Sequence, residues 1–443
     1  MVIPIEILAR ELDGKLLLAS CAKERGWNVI IGGMAAVKNA VPHLPPFVFF
    51  AKSARSTNAK LFARLKRLGH EVVVLDEEGL VRQSDDIYLM KHEKDALKNV
   101  DLLLTWGDDS RDLWRRSGML GGVPAEATGN PRVDMVRPRL RAYHQEDIRA
   151  IHQRFGEYVI FNSNFGTINN KVTGGERFNL AEWAEGGVKT DAAAYLEHKR
   201  AIFERFRALM PKVAAAIAPL NLIIRPHPAE DHAVWKDVAA GIANIHVVFE
   251  GSVVPWIAAA RILIHNGCTS AVEAAIEGTT VISYRPVTSE RYDNPLPNAV
   301  GIECFSDEEL LARMQKILKT GHVPLTAKQS ALLHRFVALE DAMLCSDAVF
   351  DAIDRNSIGF APKRKVPFHT WFKIYLQHQR QLLPQRLKKL LPGNSRRKEY
   401  KKHKFSGLTE DMVNTRIDRL EAALSRFSGI RARVIGGDLI ELK

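Results

Sequence analysis

No run of about eighteen apolar residues occurs in the chain, so the sequence offers no candidate for a helix that spans a bilayer. Cysteine is scarce. Cys21, Cys268, Cys304 and Cys345 have neither the paired spacing of a disulfide framework nor the close spacing of a zinc site. They read as reduced thiols of a cytoplasmic protein, with no disulfide and no zinc expected. Gly32-Gly33 opens a turn after an early strand without the full GxGxxG spacing of a dinucleotide site. It reads as a close approach to an acceptor or as a tight turn. No DxD-like pair stands in a loop suited to a metal, and the adjacent pairs Asp85-Asp86 and Asp108-Asp109 read as solvated. The opening stretch MVIPIEILARELDG carries acids early and leads into a strand, unlike a secretory signal. Short internal repeats are also missing.

What charge there is lies unevenly. The net charge is +12, yet residues 361–443 hold 20 Lys and Arg against 7 Asp and Glu, while the other 360 residues hold 43 and 44. The body is neutral and the tail is basic, so a polyanion is the expected partner of the tail rather than of the body. Residues 369–391 set Trp371, Phe372, Tyr375, Leu376 and several leucines among Lys and Arg, with Pro384 expected to kink or split the helix. A basic run follows at 396–404. Residues 408–427 read as another helix, capped by Thr409, with Glu410 and Asp411 in its first turn. Such a basic amphipathic tail suits an anionic membrane surface. A packed helix with a solvated face is the competing reading. No motif supports nucleic acid, which is not expected as a partner.

Short apolar runs alternate with helical stretches over residues 1–135. Residues 2–8, 27–31, 47–50, 71–75, 101–105 and 125–128 read as strands, with helices at 11–25 and 57–68 stopped by Gly26 and Gly69. This is the pattern of a doubly wound α/β domain. Residues 136–156 read as a charged connector. A second alternation fills residues 157–355, with strands at 158–161, 222–224, 246–249, 262–264 and 281–284. Residues 191–217 read as a long helix that Pro211 should kink or split, and residues 178–187 as an insertion or lid.

The chain is organised around ILIHNGCTSAVEAAIEGTTVISYRP, residues 262–286. A buried strand ends in the small polar turn His265-Asn266-Gly267-Cys268-Thr269-Ser270. A helix with Gly278 as its stop follows, then a second strand, so the strands should be parallel. The turn lies at a carboxyl end of the sheet, where open α/β sheets bind ligands. Gly267 lets a ligand approach the backbone, Thr269 and Ser270 are candidate helix caps, and the N–H groups of the helix suit a phosphate. An ordinary capped βα turn would look much the same. A second stretch weighs against that reading. NLIIRPHP, residues 221–228, is a buried strand ending in Arg225 and in His227 held between two prolines, and both side chains could donate to a phosphate.

RPHPAE followed by IHNGCTSAVEAAIEGTTVISYRP resembles the C-terminal half of bacterial surface carbohydrate biosynthesis proteins, GT-B-type glycosyltransferases akin to capsule Kdo transferases and, more distantly, to polyglycerol-phosphate polymerases. The resemblance includes TGNPRVD at 128–134 and FNSNFG at 161–166, and spans roughly residues 1–350. It implies a GT-B-like α/β fold, two facing Rossmann-like domains with a deep cleft, the basic helical tail being added. It implies transfer of a 3-deoxy-ulosonic acid such as Kdo from a CMP-sugar to a glycan or lipid-linked glycan in capsule or lipopolysaccharide assembly. Catalysis would need no metal and no cofactor beyond the nucleotide-sugar substrate. The donor would meet Arg225, Glu230, Asn162, Asn164, Gly166, His265, Asn266, Gly267, Thr269, Ser270 and Glu273, with Glu230 and Glu273 as candidates for ribose hydroxyls. His227 would neutralise the leaving phosphate, and Glu11 or Asp13 would serve as the base toward the acceptor on the N-terminal domain. The expected location is cytoplasmic, peripheral to the inner face of the cytoplasmic membrane. Alternatives on the same scaffold are a UDP-N-acetylglucosamine-type 2-epimerase, a CDP-polyol phosphotransferase, and a non-catalytic subunit of an envelope-glycan complex.

Overall fold

The computed structural model describes residues 1–92, 94–176, 192–360, 366–390 and 405–443. The proposed lid at 178–187 and the basic run at 396–404 lie outside these residues. The chain divides into two compact units. The first comprises Met1–Leu80, Leu89–Asp134 and Arg335–Lys443, and the second Val81–Tyr88 and Met135–His334.

The first unit is built on β1 (Val2–Ile5), β2 (Val29–Gly33), β3 (Val48–Ala51), β4 (Glu71–Leu75), β5 (Leu102–Thr105) and β6 (Ala125–Ala127). The second holds β7 (Tyr158–Asn162), β8 (Asn221–Arg225), β9 (Ile245–Val247), β10 (Ile262–His265), β11 (Thr280–Tyr284) and β12 (Ile302–Cys304). Sequences such as VVVL, LLLT and ILIH are buried along their whole length. Strands covered on both faces need apolar side chains on both, so they read as continuous runs rather than alternations.

The second sheet is wholly parallel, in the order β12-β11-β10-β7-β8-β9. The strand order therefore reverses between β7 and β10. The Ala192–Ile217 helix covers this sheet and runs unbroken through Pro211. Phe203, Phe206, Leu209 and Met210 before the proline and Val213, Ala214 and Ile217 after it are all buried in one core. That burial outweighs the roughly 3 kcal/mol a mid-helix proline costs. Gly278 stops the Thr269–Glu277 helix at φ +97°, as the sequence led one to expect.

The first sheet has a feature that the sequence reading missed. Its order is β13-β14-β2-β1-β3-β4-β5-β6, and β13 (Ala432–Gly436) and β14 (Leu439–Leu442) form an antiparallel hairpin from the end of the chain. Leu439 to Leu442 pair antiparallel with Gly32 to Val29. The C-terminal region is thus not a helical tail throughout. Its Glu410–Leu424 helix is capped by Thr409 as expected, the Oγ accepting from the Met412 N–H at 3.2 Å. From the same helix region Asn414 and Glu410 accept the N–H groups of Ala432 and Val434 at 2.8 and 2.6 Å, which blunts the open edge of the sheet. Gly32 and Gly33 are explained here. A Cβ on Gly32 would lie 2.5 Å from the Asp438 carbonyl oxygen, and one on Gly33 would lie 3.0 Å from the Phe405 ring. The glycine pair admits the returning chain, not an acceptor.

Two other boundaries differ from the expected ones. The Gln145–Phe155 helix, read as part of a connector, packs on Val254–Ala259 within the second unit. The Cys345–Arg355 helix returns to the first unit and packs on Leu8–Glu24.

Candidate functional site

In the second unit β8, β7 and β10 are neighbours, and Arg225, Asn162 and His265 are paired in register at their last positions. The two motifs singled out in the sequence therefore end on one edge of one sheet, on either side of β7. Open parallel sheets bind ligands at the carboxyl edge where the strand order reverses, here between β7 and β10.

Three of the expected donor contacts have other partners. Arg225 is buried and its two terminal nitrogens donate to the carbonyls of Glu250 (2.8 Å) and Gly251 (2.6 Å). It lies over the rings of Phe249 and Trp256, and burial pulls its pKa down to about 10. His265 is fully enclosed, with Nδ1 accepting the Gly267 N–H at 2.8 Å and Nε2 on the Ser283 hydroxyl at 2.7 Å. Burial drives its pKa to about 3, so the ring is neutral and holds the turn. Glu230 is fully enclosed as well. It takes hydrogen bonds from Ser163 Oγ (2.7 and 2.9 Å), the Phe165 N–H (2.8 Å), the Trp235 indole (2.8 Å) and the His227 N–H (3.2 Å). Burial raises its pKa in spite of these bonds. All three side chains are engaged by protein partners and shape the edge, where the sequence led one to expect groups turned to a donor.

The remaining groups stay at the edge. His227 is half-buried, and its Nδ1 accepts the Ala229 N–H at 3.2 Å, which places the proton of the neutral ring on Nε2. Gly166 lies against it, where a Cβ would come within 3.1 Å of the Ala229 Cβ and 3.5 Å of His227 Nδ1. Bare backbone at 166 lets the β7 loop pack on the RPHP loop. Asn266 Nδ2 donates to the Asn164 carbonyl at 3.4 Å. Gly267 sits at φ +80°, and its carbonyl accepts Asn294 Nδ2 at 2.7 Å.

The helix cap differs from expectation. Cys268, not Thr269 or Ser270, holds the N-cap position of Thr269–Glu277, and no side chain caps the helix. The Ser270 hydroxyl lies 2.7 Å from Cys268 Sγ, and burial pushes the thiol up to about 11. Glu273 is buried one turn into the helix. The sequence pointed to Thr-Ser because hydroxyls are the usual caps, and the preceding cysteine gave no such signal.

Asn162 stands apart. It is 5% exposed, and neither its amide nitrogen nor its amide oxygen has a hydrogen-bond partner. Asn266 Oδ1, one strand away, is likewise unpartnered. Buried amide groups without partners are rare because each costs about 1–3 kcal/mol. Three such atoms at adjacent strand tips, one donor and two acceptors, beside an uncapped helix N-terminus make an edge suited to a polar ligand, with the Asn162 amide nitrogen and the helix N–H groups able to meet an anionic group.

In the first unit the expected bases are both engaged. Glu11 is buried, bonded to Lys15 Nζ at 2.6 Å and to the Glu6 N–H at 2.9 Å. Burial would raise its pKa, but the Lys15 ammonium and that N–H hold it at about 2. A carboxylate so stabilised is a poor base near neutral pH. Lys15 also reaches Glu77 (3.3 Å) and the Pro4 carbonyl (2.8 Å), so the group is a structural clasp. Asp13 accepts Arg416 Nε at 2.9 Å and ties the first helix to the C-terminal segment. Glu11 lies below its ordinary value of 4.5 in the fold, so its stabilisation is present above that pH and is lost as pH falls toward about 2. Glu11→Gln should flatten this acid limb in urea denaturation run across pH. An unchanged limb would remove the assignment.

No family model matches the chain, and none of the curated proteins matches it. Solved structures do resemble it. A protein of Listeria monocytogenes assigned as a UDP-N-acetylglucosamine 2-epimerase aligns over 83% of this chain and 98% of its own, at 13% identity and a TM-score of 0.51. The UDP-GlcNAc 2-epimerase of Neisseria meningitidis, solved with UDP-GlcNAc bound, aligns over 80% and 98%, at 11% identity and 0.50. The wall teichoic acid polymerase TagF, in a variant soaked with CDPG, aligns over 81% and 89%, at 10% identity and 0.50. Identities this low carry the architecture and no activity. The chain has the α/β fold of GT-B-type enzymes, a pair of Rossmann-like units.

Proposed function

We propose that the second unit holds the nucleotide of an activated sugar at the edge between β7 and β10, and that the chain is a metal-independent glycosyltransferase of bacterial surface-glycan assembly. The observation that carries this reading is the buried, unpartnered amide of Asn162 at the point where strand order reverses. A donor phosphate or diphosphate would accept from Asn162 Nδ2 and from the N–H groups of the Thr269–Glu277 helix. A ribose hydroxyl or base donor would meet the amide oxygens of Asn162 and Asn266. His227, rigidly set on the neighbouring strand end, would donate to the leaving phosphate. Arg225, His265 and Glu230 keep these groups in place. The motif resemblance favours a CMP-linked 3-deoxy-ulosonic acid as donor. The acceptor is assigned to the carboxyl edge of the first sheet, where Glu6 and Lys52 pair at the ends of β1 and β3.

A thermal-shift series with CMP, CDP, UDP and GDP tests the donor, because a ligand of the native state raises its apparent stability. Selective stabilisation by CMP supports the ulosonic-acid donor, and by CDP a polyol-phosphate donor. Stabilisation by UDP, with epimer formed from UDP-N-acetylglucosamine alone, would turn the reading to a 2-epimerase. Stabilisation by none would overturn the site. Asn162→Leu sharpens the test. Leucine has nearly the shape of asparagine and leaves no orphaned polar atoms. The ligand-free variant should gain about 1 kcal/mol, while the nucleotide affinity falls by about 10-fold or more. A site used only for packing would show the first change without the second.

A further inference from the structure

Residues 361–404 hold 14 Lys and Arg against Glu399 alone, whereas residues 405–443 hold six basic and six acidic groups. The basic excess therefore belongs to the stretch around the Phe368–Leu390 helix and not to the part that completes the first sheet. Among the described residues no helix is long and apolar enough to cross a membrane. One face of this helix is docked on the first unit. Trp371 Nε1 donates to the Pro42 carbonyl at 2.8 Å, Tyr375 packs edge-on against His43, and Ile374 is buried. An adjacent face is bare. Phe368, Phe372 and Leu376 follow one another at every fourth residue and are 74%, 44% and 41% exposed. The first two rings stack on each other, with centroids 5.8 Å apart, and do not enter the protein core. Lys373 and Arg380 are exposed on the same helix.

We propose that this stripe docks the first unit on an anionic lipid bilayer. The three apolar side chains enter the headgroup region, and the surrounding cations meet lipid phosphates. An apolar line of about two turns flanked by cations matches a lipid interface. It suits nucleic acid less well, because a stacked pair of rings and an aliphatic side chain leave little aromatic face for bases. Docking is read without donor or acceptor, so it stands apart from the glycosyl-transfer assignment.

The test is co-sedimentation of the full chain with vesicles of phosphatidylcholine alone and of phosphatidylcholine mixed with phosphatidylglycerol, at low and high salt. Binding should require phosphatidylglycerol and weaken with salt. The triple variant F368S/F372S/L376S should lose on the order of 100-fold in partitioning with an unchanged melting temperature, since the side chains are exposed. If the triple variant folds poorly, Phe368→Ser, which alters the most exposed of the three, should still lose several-fold. Equal binding to both vesicle types, undiminished binding of a folded stripe variant, or preference for a homopolymeric RNA over vesicles would each overturn the proposal.

Discussion

Glu230→Ala is expected to cost the second unit about 4 kcal/mol and to bring it close to unfolding, since whole domains are stable by only about 5–15 kcal/mol. The carboxylate is fully buried and collects the Ser163 hydroxyl, two backbone N–H groups and the Trp235 indole. Alanine would leave those donors without an acceptor in a site closed to water, at about 1–3 kcal/mol each. The loss is greater than that of a surface carboxylate because these bonds also tie two loops together. Ser163 and Phe165 belong to the β7 loop, and His227 to the RPHP loop. Denaturant titration reads the result directly. The glutamine variant, which keeps an acceptor oxygen, should fall between alanine and the wild type. A Glu230→Ala protein with the wild-type midpoint would show that the two loops are held by packing alone.

The same residue shows where sequence reasoning stopped. The strand ends at Arg225 and His265 were legible because parallel strands buried on both faces are unbroken apolar runs, and polar, Gly- or Pro-containing turns follow both. That the turns share one edge followed from the alternation of strands and helices. Which side chain in each turn faces a ligand was not legible. It depends on partners distant in sequence: Ser283 for His265, Glu250 and Gly251 for Arg225, Ser163 for Glu230. A histidine and an arginine look alike as phosphate donors until those partners are known. Only the motif resemblance makes Asn162 a donor contact, since asparagines in its loop could equally form turns, and the reason to favour it, an amide with no partner, exists only in three dimensions. The C-terminal hairpin failed for a related reason. Residues 432–436 place exposed side chains on an edge strand and lack the unbroken apolar run of the parallel strands, while β14 pairs with a strand at the other end of the chain. Gly32 and Gly33 carried the clue, since each is a gap shaped for a residue of that returning segment.

His227→Ala is expected to lower turnover by about 100- to 1000-fold while the protein melts within about 0.5 kcal/mol of wild type. The small stability change follows from position. The side chain is half-buried, and its Nδ1 accepts the Ala229 N–H at 3.2 Å within its own turn. The large rate change follows from preorganisation. Pro226 and Pro228 restrict the backbone on both sides, the Glu230 carboxylate holds the His227 N–H, and Gly166 closes the loop against the ring. On the proposed reading, a donor fixed in this way would need no rearrangement as charge grows on a departing phosphate, and its contribution there would exceed its contribution to ground-state binding. The split is measurable with whichever nucleotide-sugar the thermal-shift series identifies. kcat should fall with little change in KM, whereas Asn162→Leu should act mainly on KM. A His227→Ala protein with full turnover would remove His227 from the reaction, and a loss confined to KM would make it a binding residue only.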